Sequence, residues 1–285
     1  MTNIINLATV TFLFVCLNYF CFKYNFFVDN ISNSDHKKFI VHEKKIPITG
    51  GLYLFFGYVF SQTYIYNFSE IFYFSLILIL GYLSDFCKNF NPSLRLLFQA
   101  IICLAFVVYS DLNISDVRVE KINAMLNNYI IAYIFTVFCI VVLINGSNFI
   151  DGVNLLSIGY YLLILISLIF LSNYHALLLN KDLVLGLITL LIILFFFNGF
   201  NKVFLGDGGI YFLSFIVAII LIKFNNDNSK VSPYYIVCLL WYPCFENLFS
   251  ILRKKLRKQD PQKPDNMHLH HLIYMSLKFK KSKII

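Results

Sequence analysis

Long apolar runs separated by short polar segments make up most of the chain. A run such as YFSLILILGYL in residues 73–83 does not alternate apolar and polar residues, which argues against the strands of a membrane barrel. Several runs reach the length at which a helix crosses a bilayer. The pattern predicts an all-α, polytopic helical membrane protein with about nine transmembrane helices. The predicted spans lie near residues 4–22, 48–67, 70–84, 94–110, 129–146, 153–172, 183–199, 210–224 and 234–251.

Composition favours a membrane protein over a soluble one. Of the 285 residues, 59% are hydrophobic and 13% charged, whereas soluble domains have about 45–50% apolar and about 25% charged residues. We therefore expect one integral-membrane domain over residues 1–285, ending in a basic, histidine-containing cytoplasmic tail at residues 252–285. The first apolar run lacks a basic n-region and a cleavage site, which predicts a retained span. The seven cysteines form no CxxC pair, so buried thiols are expected rather than disulfides.

The distribution of lysine and arginine predicts the orientation. If the N-terminus lies outside, 18 of the 23 basic residues fall on the side of the C-terminus. The other five are Arg118, Lys121, Lys181, Lys223 and Lys230. Because cytoplasmic loops carry the excess of positive charge, this predicts an N-out, C-in protein. Contact with anionic membrane lipid is an alternative role for the basic stretch RKKLRK. No nucleic-acid partner is expected, because no recognition module accompanies the charge.

The unusual polar residues gather in five segments that all face the cytoplasm on this topology. They are Lys45 with the Gly50-Gly51 pair, Asp85, the series Asn145, Asn148 and Asp151, then Asp207, and finally His268, His270 and His271. Three aspartates at the ends of three different spans can converge on one pocket. Hard carboxylate oxygens suit Mg²⁺, which binds through one or two carboxylates together with substrate phosphates. The sequence therefore predicts a phosphate-handling, magnesium-dependent site.

Simpler interpretations exist for the individual residues. Asp85 and Asp151 could each cap the helix that follows, a common role for aspartate. His268 alone could be a surface histidine, and HLHH could suggest a metal site, although no further Cys or His stands at zinc spacing. A secondary transporter also places acids in broken helices, but near the bilayer midplane. The functional interpretation depends on the agreement of five segments.

Five short motifs in order extend from His42 to His271: IPITGG, GYLSDF with NPSLRLLFQ, NGSNFIDGVNLL, KVFLGDGG and HLHH. Together they resemble the polyprenyl-phosphate N-acetylhexosamine-1-phosphate transferases, which form glycosyl transferase family 4. The histidine motif and FIDGVNLL are more similar to the WecA-type enzymes that initiate O-antigen or capsule synthesis. The peptidoglycan enzymes of the MraY type, which transfer phospho-MurNAc-pentapeptide, are the alternative within the family.

The resemblance implies a bacterial inner-membrane enzyme with a cytoplasmic active site, a UDP-N-acetylhexosamine donor and an undecaprenyl phosphate acceptor. It implies Asp85, Asp151 and Asp207 as catalytic residues, with Mg²⁺, or Mn²⁺ in its place, held by Asp207 and Asp151. Family members are often homodimers. The implied substrate-binding residues are Lys45, Asn145, Asn148, Phe204, His268, His270 and His271, with Phe204 stacked on uracil.

Three residues depart from the family motifs. Ser84 stands where the motif has the first of two consecutive acidic residues, Ile210 replaces a serine, and Leu155 replaces a glycine. A phosphate oxyanion can attack without a base because most of its protons are already lost at neutral pH. The enzyme interpretation therefore stands beside an alternative, a catalytically impaired member that binds lipid phosphate or nucleotide sugar.

Overall fold

The computed structural model describes residues 2–29, 46–61, 68–87, 90–258 and 268–282. Within these ranges the chain is helical, and an isolated bridge between Val28 and Pro47 is the only strand-like pairing. The helices are α1 (Thr2–Tyr24), α2 (Gly50–Ser61), α3 (Phe68–Phe86), α4 (Pro92–Tyr109), α5 (Glu120–Leu126), α6 (Tyr129–Ile150), α7 (Leu156–His175), α8 (Lys181–Gly199), α9 (Gly206–Asp227), α10 (Pro233–Leu256) and α11 (Leu269–Ser282).

Among the described residues, 8 helices are long and apolar enough to cross a membrane: α1, α3, α4 and α6 to α10. They coincide with eight of the predicted spans, which confirms the polytopic helical fold. The second predicted span, 48–67, contains α2, whose 12 residues extend only about 18 Å. Residues 62–67 lie outside the described part of the chain.

Helix α9 forms the centre of the bundle. In α9, 89% of the residues of the candidate span are buried inside the protein, compared with 22–39% in the other candidate spans. It packs against α2, α3 and α6, so that its apolar residues face other helices on every side. Because α9 starts at Gly206 rather than near 210, Asp207 lies in its first turn.

Glycines bring α2, α3 and α9 into backbone contact. A Cβ added at Gly81 of α3 would lie 2.5 Å from the Cα of Gly208 in α9. One added at Gly51 of α2 would lie 2.6 Å from the nitrogen of Gly209. Small residues at helix crossings permit such close approach in membrane proteins. The packing places the C-terminal end of α3 directly beside the N-terminal end of α9.

The two ends of the bundle are named after the direction of α9. The site end is where α9 begins, and α3, α6 and α8 finish there. The opposite end is where α9 finishes. There Arg118 Nη2 donates to the carbonyl of Ser229 at 2.9 Å, and Asn226 Nδ2 donates to the carbonyl of Asn113 at 2.8 Å.

Two helices were not predicted: α5, in a polar linker, and α11, in the histidine-containing tail.

Candidate active site

Asp207 lies near a serine and an arginine from two other helices. Its side chain is buried, and Oδ2 accepts a hydrogen bond from Ser84 Oγ at 2.6 Å. Arg95 Nη1, from the first turns of α4, donates to the same Ser84 Oγ at 3.0 Å and lies 3.9 Å from Asp207 Oδ2. The serine thus bridges the guanidinium and the carboxylate. A nearby cation offsets part of the cost of burying an ionised acid.

Asp85 contacts the same turn of α9. Its Oδ2 accepts a hydrogen bond from the backbone nitrogen of Gly208 at 3.2 Å. Gly206 adopts φ +73, and a Cβ there would lie 2.8 Å from Asp85 Oδ2 and would collide with Ile48. Only glycine therefore lets Asp85 lie over the positive N-terminal end of α9.

The interpretation of Asp85 as a cap for the helix that follows it is wrong. That helix, α4, is capped by Asn91, whose side chain accepts from the nitrogen of Ser93 at 2.9 Å. Asp85 instead accepts from the start of α9, a helix more than a hundred residues further along the chain. Asp85 and Asp207 are called the acidic pair below.

Asp151 follows the last turn of α6, where a short turn leads into α7. Its carboxylate accepts a hydrogen bond from Ser157 Oγ. Leu155 in this turn has φ 69, a left-handed conformation that favours glycine. The resemblance implies a glycine at this position, and the left-handed conformation suits one. The turn is held by Asn198 of α8, whose Oδ1 accepts from the nitrogen of Leu155 at 2.8 Å.

Asn198 was missed by sequence reasoning, although it ties two site segments together. It is 2% exposed, and its Nδ2 donates to the carbonyl of Val203 at 2.9 Å. Its own carbonyl accepts from Asn154 Nδ2 at 3.3 Å. The turn after Asp151 is thereby joined to the segment before Asp207. A lone amide at the end of an apolar run is the signal that could have identified it.

Asn145 and Asn148 lie on the last turns of α6. Asn145 Nδ2 donates to Gln99 Oε1 of α4 at 2.7 Å and to the carbonyl of Val141 at 2.9 Å. The Asn145 amide nitrogen is thus used within the bundle, towards α4. Asn148 is half-buried one turn nearer to Asp151.

Phe204 lies in the segment that leads into α9, and its ring is buried. Its backbone nitrogen donates to the carbonyl of Pro47 at 2.8 Å, and its carbonyl accepts from the nitrogen of Gly50 at 3.1 Å. These bonds join the segment to the start of α2. Lys45, predicted to bind substrate phosphates, lies outside the described residues.

His268, His270 and His271 are buried against one another and form the histidine cluster. Their ring centroids are separated by 4.2 to 5.8 Å. Glu246 of α10 contacts His268 Nδ1 through Oε2 at 2.9 Å, and the Tyr242 hydroxyl lies 3.1 Å from His270 Nδ1. Sequence reasoning missed both partners, although an acid inside an apolar span is itself a signal of function.

The histidine cluster lies against the turn that carries Asp151. A Cβ added at Gly152 would lie 2.5 Å from His271 Nε2 and 2.8 Å from His270 Nε2. Phe149 stacks on His268 with a centroid separation of 5.0 Å. Burial, followed by the neighbouring imidazoles, lowers the pKa of His270 to about 3, so this ring is neutral at pH 7. The structure thus brings Asp151 together with the three predicted histidines.

The acidic pair offers two hard carboxylates above the first turn of α9. Among the described side chains, no group of three or more His, Cys, Asp or Glu has the arrangement of a metal site. The donor set does not form a closed protein cage. It fits a magnesium ion that takes its remaining ligands from water and substrate phosphates. Asp151 lies in the separate group with the histidines, so its metal-binding role stays a prediction.

Comparison with known proteins identifies the same family as the motifs. The family described as "Glycosyl transferase family 4" matches residues 67–225, more than half of the chain. A "Probable undecaprenyl-phosphate N-acetylglucosaminyl 1-phosphate transferase" of Bacillus subtilis (strain 168) is 29% identical over 240 residues, covering 81% of this chain and 66% of that protein.

Two other relatives are named "Undecaprenyl-phosphate alpha-N-acetylglucosaminyl 1-phosphate transferase". The protein of Salmonella typhi is 24% identical over 245 residues, covering 81% of this chain and 66% of that protein. The protein of Thermotoga maritima is 24% identical over 238 residues, covering 81% of this chain and 69% of that protein. The match thus spans just under two thirds of the Bacillus and Salmonella proteins. These findings confirm the resemblance inferred from the motifs: the chain belongs to glycosyl transferase family 4.

Proposed function

We propose that this protein transfers N-acetylhexosamine 1-phosphate from a UDP-sugar to undecaprenyl phosphate. An oxygen of the lipid phosphate attacks the sugar-linked phosphorus, the bond from that phosphorus to the bridging oxygen breaks, and UMP leaves with the bridging oxygen. The product is a lipid-linked diphosphate sugar. The names of the relatives support this reaction class, because each is named as a probable or assigned undecaprenyl-phosphate N-acetylglucosaminyl 1-phosphate transferase.

The observation that carries the proposal is the acidic pair beside Arg95 at the start of α9. Phosphoryl transfer depends mainly on positioning and on the stabilisation of charge. Asp85 and Asp207 approach the same helical turn, and Arg95 lies 3.9 Å from Asp207 Oδ2. This arrangement combines two carboxylates with the guanidinium of Arg95 and a helix N-terminus. These are the groups needed to organise phosphates and their counter-ion.

The resemblance implies Asp207 and Asp151 as the ligands of Mg²⁺, or of Mn²⁺ in its place. We propose that Asp85, which contacts the same turn of α9 as Asp207, supplies a further carboxylate ligand. When bound, the ion would neutralise the diphosphate and stabilise the charge that develops on departing UMP. Ser84 orients the Asp207 carboxylate through its hydrogen bond, and Arg95 supplies a positive charge nearby. Asp85, at the end of α3, would stand nearest the incoming lipid phosphate.

The remaining predicted residues would hold the nucleotide sugar. In this proposal Phe204 contacts uracil, Asn148 and Asp151 hold the nucleotide, Asn145 supports them from α6, and Lys45 neutralises phosphate. Neutral imidazoles can each donate one hydrogen bond and accept another. In this proposal the histidine cluster contacts the diphosphate or the sugar hydroxyls, and His270, whose pKa is lowered to about 3, does so without adding charge.

The proposed location is the bacterial inner membrane with the site end in the cytoplasm. The excess of basic residues supports this orientation, because 18 of 23 fall on the side of the C-terminus if the N-terminus lies outside. Water-soluble UDP-sugar would then enter from the cytoplasm, while the acceptor arrives through the lipid. Initiation of O-antigen or capsule synthesis is the pathway role that the WecA-type motifs favour.

The test is transfer of radiolabelled sugar phosphate from UDP-GlcNAc and UDP-GalNAc to undecaprenyl phosphate by purified protein. We expect magnesium-dependent product and release of UMP, with activity abolished by EDTA. Asp207→Asn should lower activity by at least about 100-fold, since changes to outer partners of metal sites already cost about 10–100-fold. Asp227→Asn makes the same change at the exposed opposite end of α9 and should leave activity unchanged.

A second candidate function is favoured by Ser84, which stands in place of a carboxylate. It is a catalytically impaired protein that binds lipid phosphate or nucleotide sugar without turnover. Well-folded protein that fails to turn over a panel of UDP-sugars, yet is stabilised against heat by one of them, would overturn the enzyme proposal and support this alternative.

A further inference from the structure

Glu246 is a buried acid whose two carboxylate oxygens both have partners from the start of α11. It is 2% exposed, inside a helix long and apolar enough to cross the membrane. Oε2 lies 2.9 Å from His268 Nδ1, and Oε1 accepts from the backbone nitrogen of Leu269 at 2.8 Å. Such an acid is expensive at membrane depth unless it is paired. Its position therefore calls for a specific role.

The bond to Leu269 fixes where α11 begins. Leu269 is the first residue of that helix, whose early backbone nitrogens need acceptors. Glu246 supplies one from another helix, and its negative charge suits the positive end of the α11 dipole. Residues 259–267, between α10 and α11, lie outside the described chain. The carboxylate thus ties α11 directly to α10.

The bond to His268 fixes the proton on that ring. An ionised carboxylate only accepts, so opposite an ionised Glu246, whose Oε2 lies 2.9 Å away, His268 Nδ1 is the donor. In the neutral ring, Nε2 is then the acceptor nitrogen that remains for a ligand. Phe149 of α6 stacks on the imidazole with an interplanar angle of 28° and limits its rotation.

The helices on either side hold this arrangement rigidly. Asn247 Nδ2, next to Glu246, donates to the carbonyl of Val142 in α6 at 3.1 Å. Gly146 of α6 permits backbone contact with Pro243, because a Cβ there would collide with the proline carbonyl. Glu246 is therefore fixed relative to α6, which also carries the turn at Asp151.

We propose that Glu246 is the positioning residue of the histidine cluster: it holds the proton on His268 Nδ1 and seats the start of α11 against the Asp151 turn, so that His268 Nε2 serves the phosphates of the nucleotide sugar. The part concerning substrate rests on the proposed function. The tautomer and the seating of α11 are properties of the folded chain and can be tested without turnover.

The first experiment reads the ring directly. Protein labelled with ¹⁵N-histidine, reconstituted in lipid, is compared with Glu246→Gln by NMR, and His268→Gln identifies the His268 signals. We expect the Nδ1–H tautomer in the unmodified protein and a shifted or mixed tautomer in Glu246→Gln. An unchanged His268 spectrum in Glu246→Gln would overturn the inference whether or not the protein is a transferase.

The second experiment uses the same variants in the sugar-phosphate transfer assay. Glu246→Gln should lower kcat by about 10–100-fold, the usual effect of losing a partner that orients an active-site ligand, with little change in KM. Glu246→Asp, which keeps the charge, should recover part of that loss. Glu70→Gln is the matched control, because Glu70 lies near Lys223 at the opposite end of the bundle, 3.8 Å from its Nζ.

The outcomes separate the two proposals. Inactivity of the unmodified protein would overturn the proposed function, while the NMR result still decides the role of Glu246. Full kcat per folded molecule in Glu246→Gln, with only a lowered melting temperature, would show a structural role and overturn the positioning role. Equal kcat losses in Glu246→Gln and Glu70→Gln would also overturn it.

Discussion

Two buried asparagines, one at each end of the bundle, perform the same physical task. At the site end, Asn198 is 2% exposed and bonds through its side chain to Leu155 and Val203. At the opposite end, Asn228 is 6% exposed; its Oδ1 accepts from the nitrogen of Leu178 at 2.8 Å, and its Nδ2 donates to that residue's carbonyl at 2.9 Å. Each amide satisfies backbone groups that secondary structure leaves unpaired.

The difference lies in what the two amides hold. Asn198 joins the turn that follows Asp151 to the segment that leads into Asp207, whereas Asn228 joins the link between α7 and α8 to the end of α9. At the opposite end the exposed Asp116 serves a local turn, in which its Oδ1 accepts from the nitrogen of Arg118 at 2.7 Å. A satisfied buried amide therefore does not distinguish a site from a scaffold. The site end differs from the scaffold in having buried acids and histidines that close backbone packing holds in place.

The largest expected effect comes from removing each amide in turn. Asn198→Ala and Asn228→Ala should both destabilise the fold, by about 1–3 kcal/mol for the polar groups left unpaired. Only Asn198→Ala should also lower sugar-phosphate transfer per folded molecule, by up to about 100-fold, since displacement of site groups by about 1 Å can cost that much. Heat denaturation and the transfer assay on the same preparations measure both quantities.

Two results would contradict this division of the bundle into a site end and a scaffold. Equal activity per folded molecule in the two variants would mean that the turn at Asp151 and the segment before Asp207 keep their positions without Asn198. A similar activity loss in both would mean that the ends are coupled through α9, and the division between site and scaffold would fail.

A second comparison concerns two glycines on either side of the start of α7. In Gly152→Ala the new methyl would meet His270 and His271, whose rings are buried. In Gly159→Ala it would meet only the edge of Phe195, at 3.2 Å. We expect Gly152→Ala to lower transfer by about 10-fold, within the range for loss of correct orientation, and Gly159→Ala to have little effect. Similar activity in both variants would exclude the histidine cluster from the site.

Much of the fold could be predicted from the chain because lipid imposes a simple rule. A backbone in hydrocarbon must satisfy its own hydrogen bonds, so each long apolar run becomes a helix. The same rule makes a lone acid between glycines conspicuous, which is how Asp207 was identified. The start of α9 was misplaced by a few residues because glycines and an aspartate do not look like the interior of a helix, although they suit its first turn.

The partners of the site residues could not be predicted, because they come from distant parts of the chain. Ser84 was interpreted only as the loss of an acid, whereas in the structure it bridges Arg95 and Asp207. Glu246 lies inside an apolar run, 22 residues before the histidine it holds. Such pairs depend on which helices pack together, and helical periodicity carries no information about that.

The serine bridge gives a smaller, sharper test of the site end. Ser84→Asp adds a carboxylate beside Asp207 and should lower the Mg²⁺ concentration needed for half-maximal transfer. Ser84→Ala removes the bridge to Arg95 and should lower activity by roughly 2–10-fold, the equivalent of one net hydrogen bond. The control is Ser214→Ala. It removes a buried hydroxyl that donates to the carbonyl of Ile210 within α9 at 2.6 Å. An unchanged magnesium requirement in Ser84→Asp would place the ion away from Asp207.

The smallest expected effect is a difference in acid sensitivity between histidines at the two ends. The pKa of His270 is lowered from its ordinary value of 6.5 to about 3 by burial and by its imidazole neighbours. Between these values the unfolded chain binds a proton that the folded chain does not, so stability falls as pH falls from about 6.5 towards 3. The melting temperature of His270→Gln should therefore fall less between pH 7.5 and 5 than that of the unmodified protein, by about 4–8 °C. His175→Gln, at the exposed end of α7, should not reduce this loss. If both variants keep the full acid sensitivity, burial of a neutral His270 is not its source, and the packing of the histidine cluster against Gly152 would be in error.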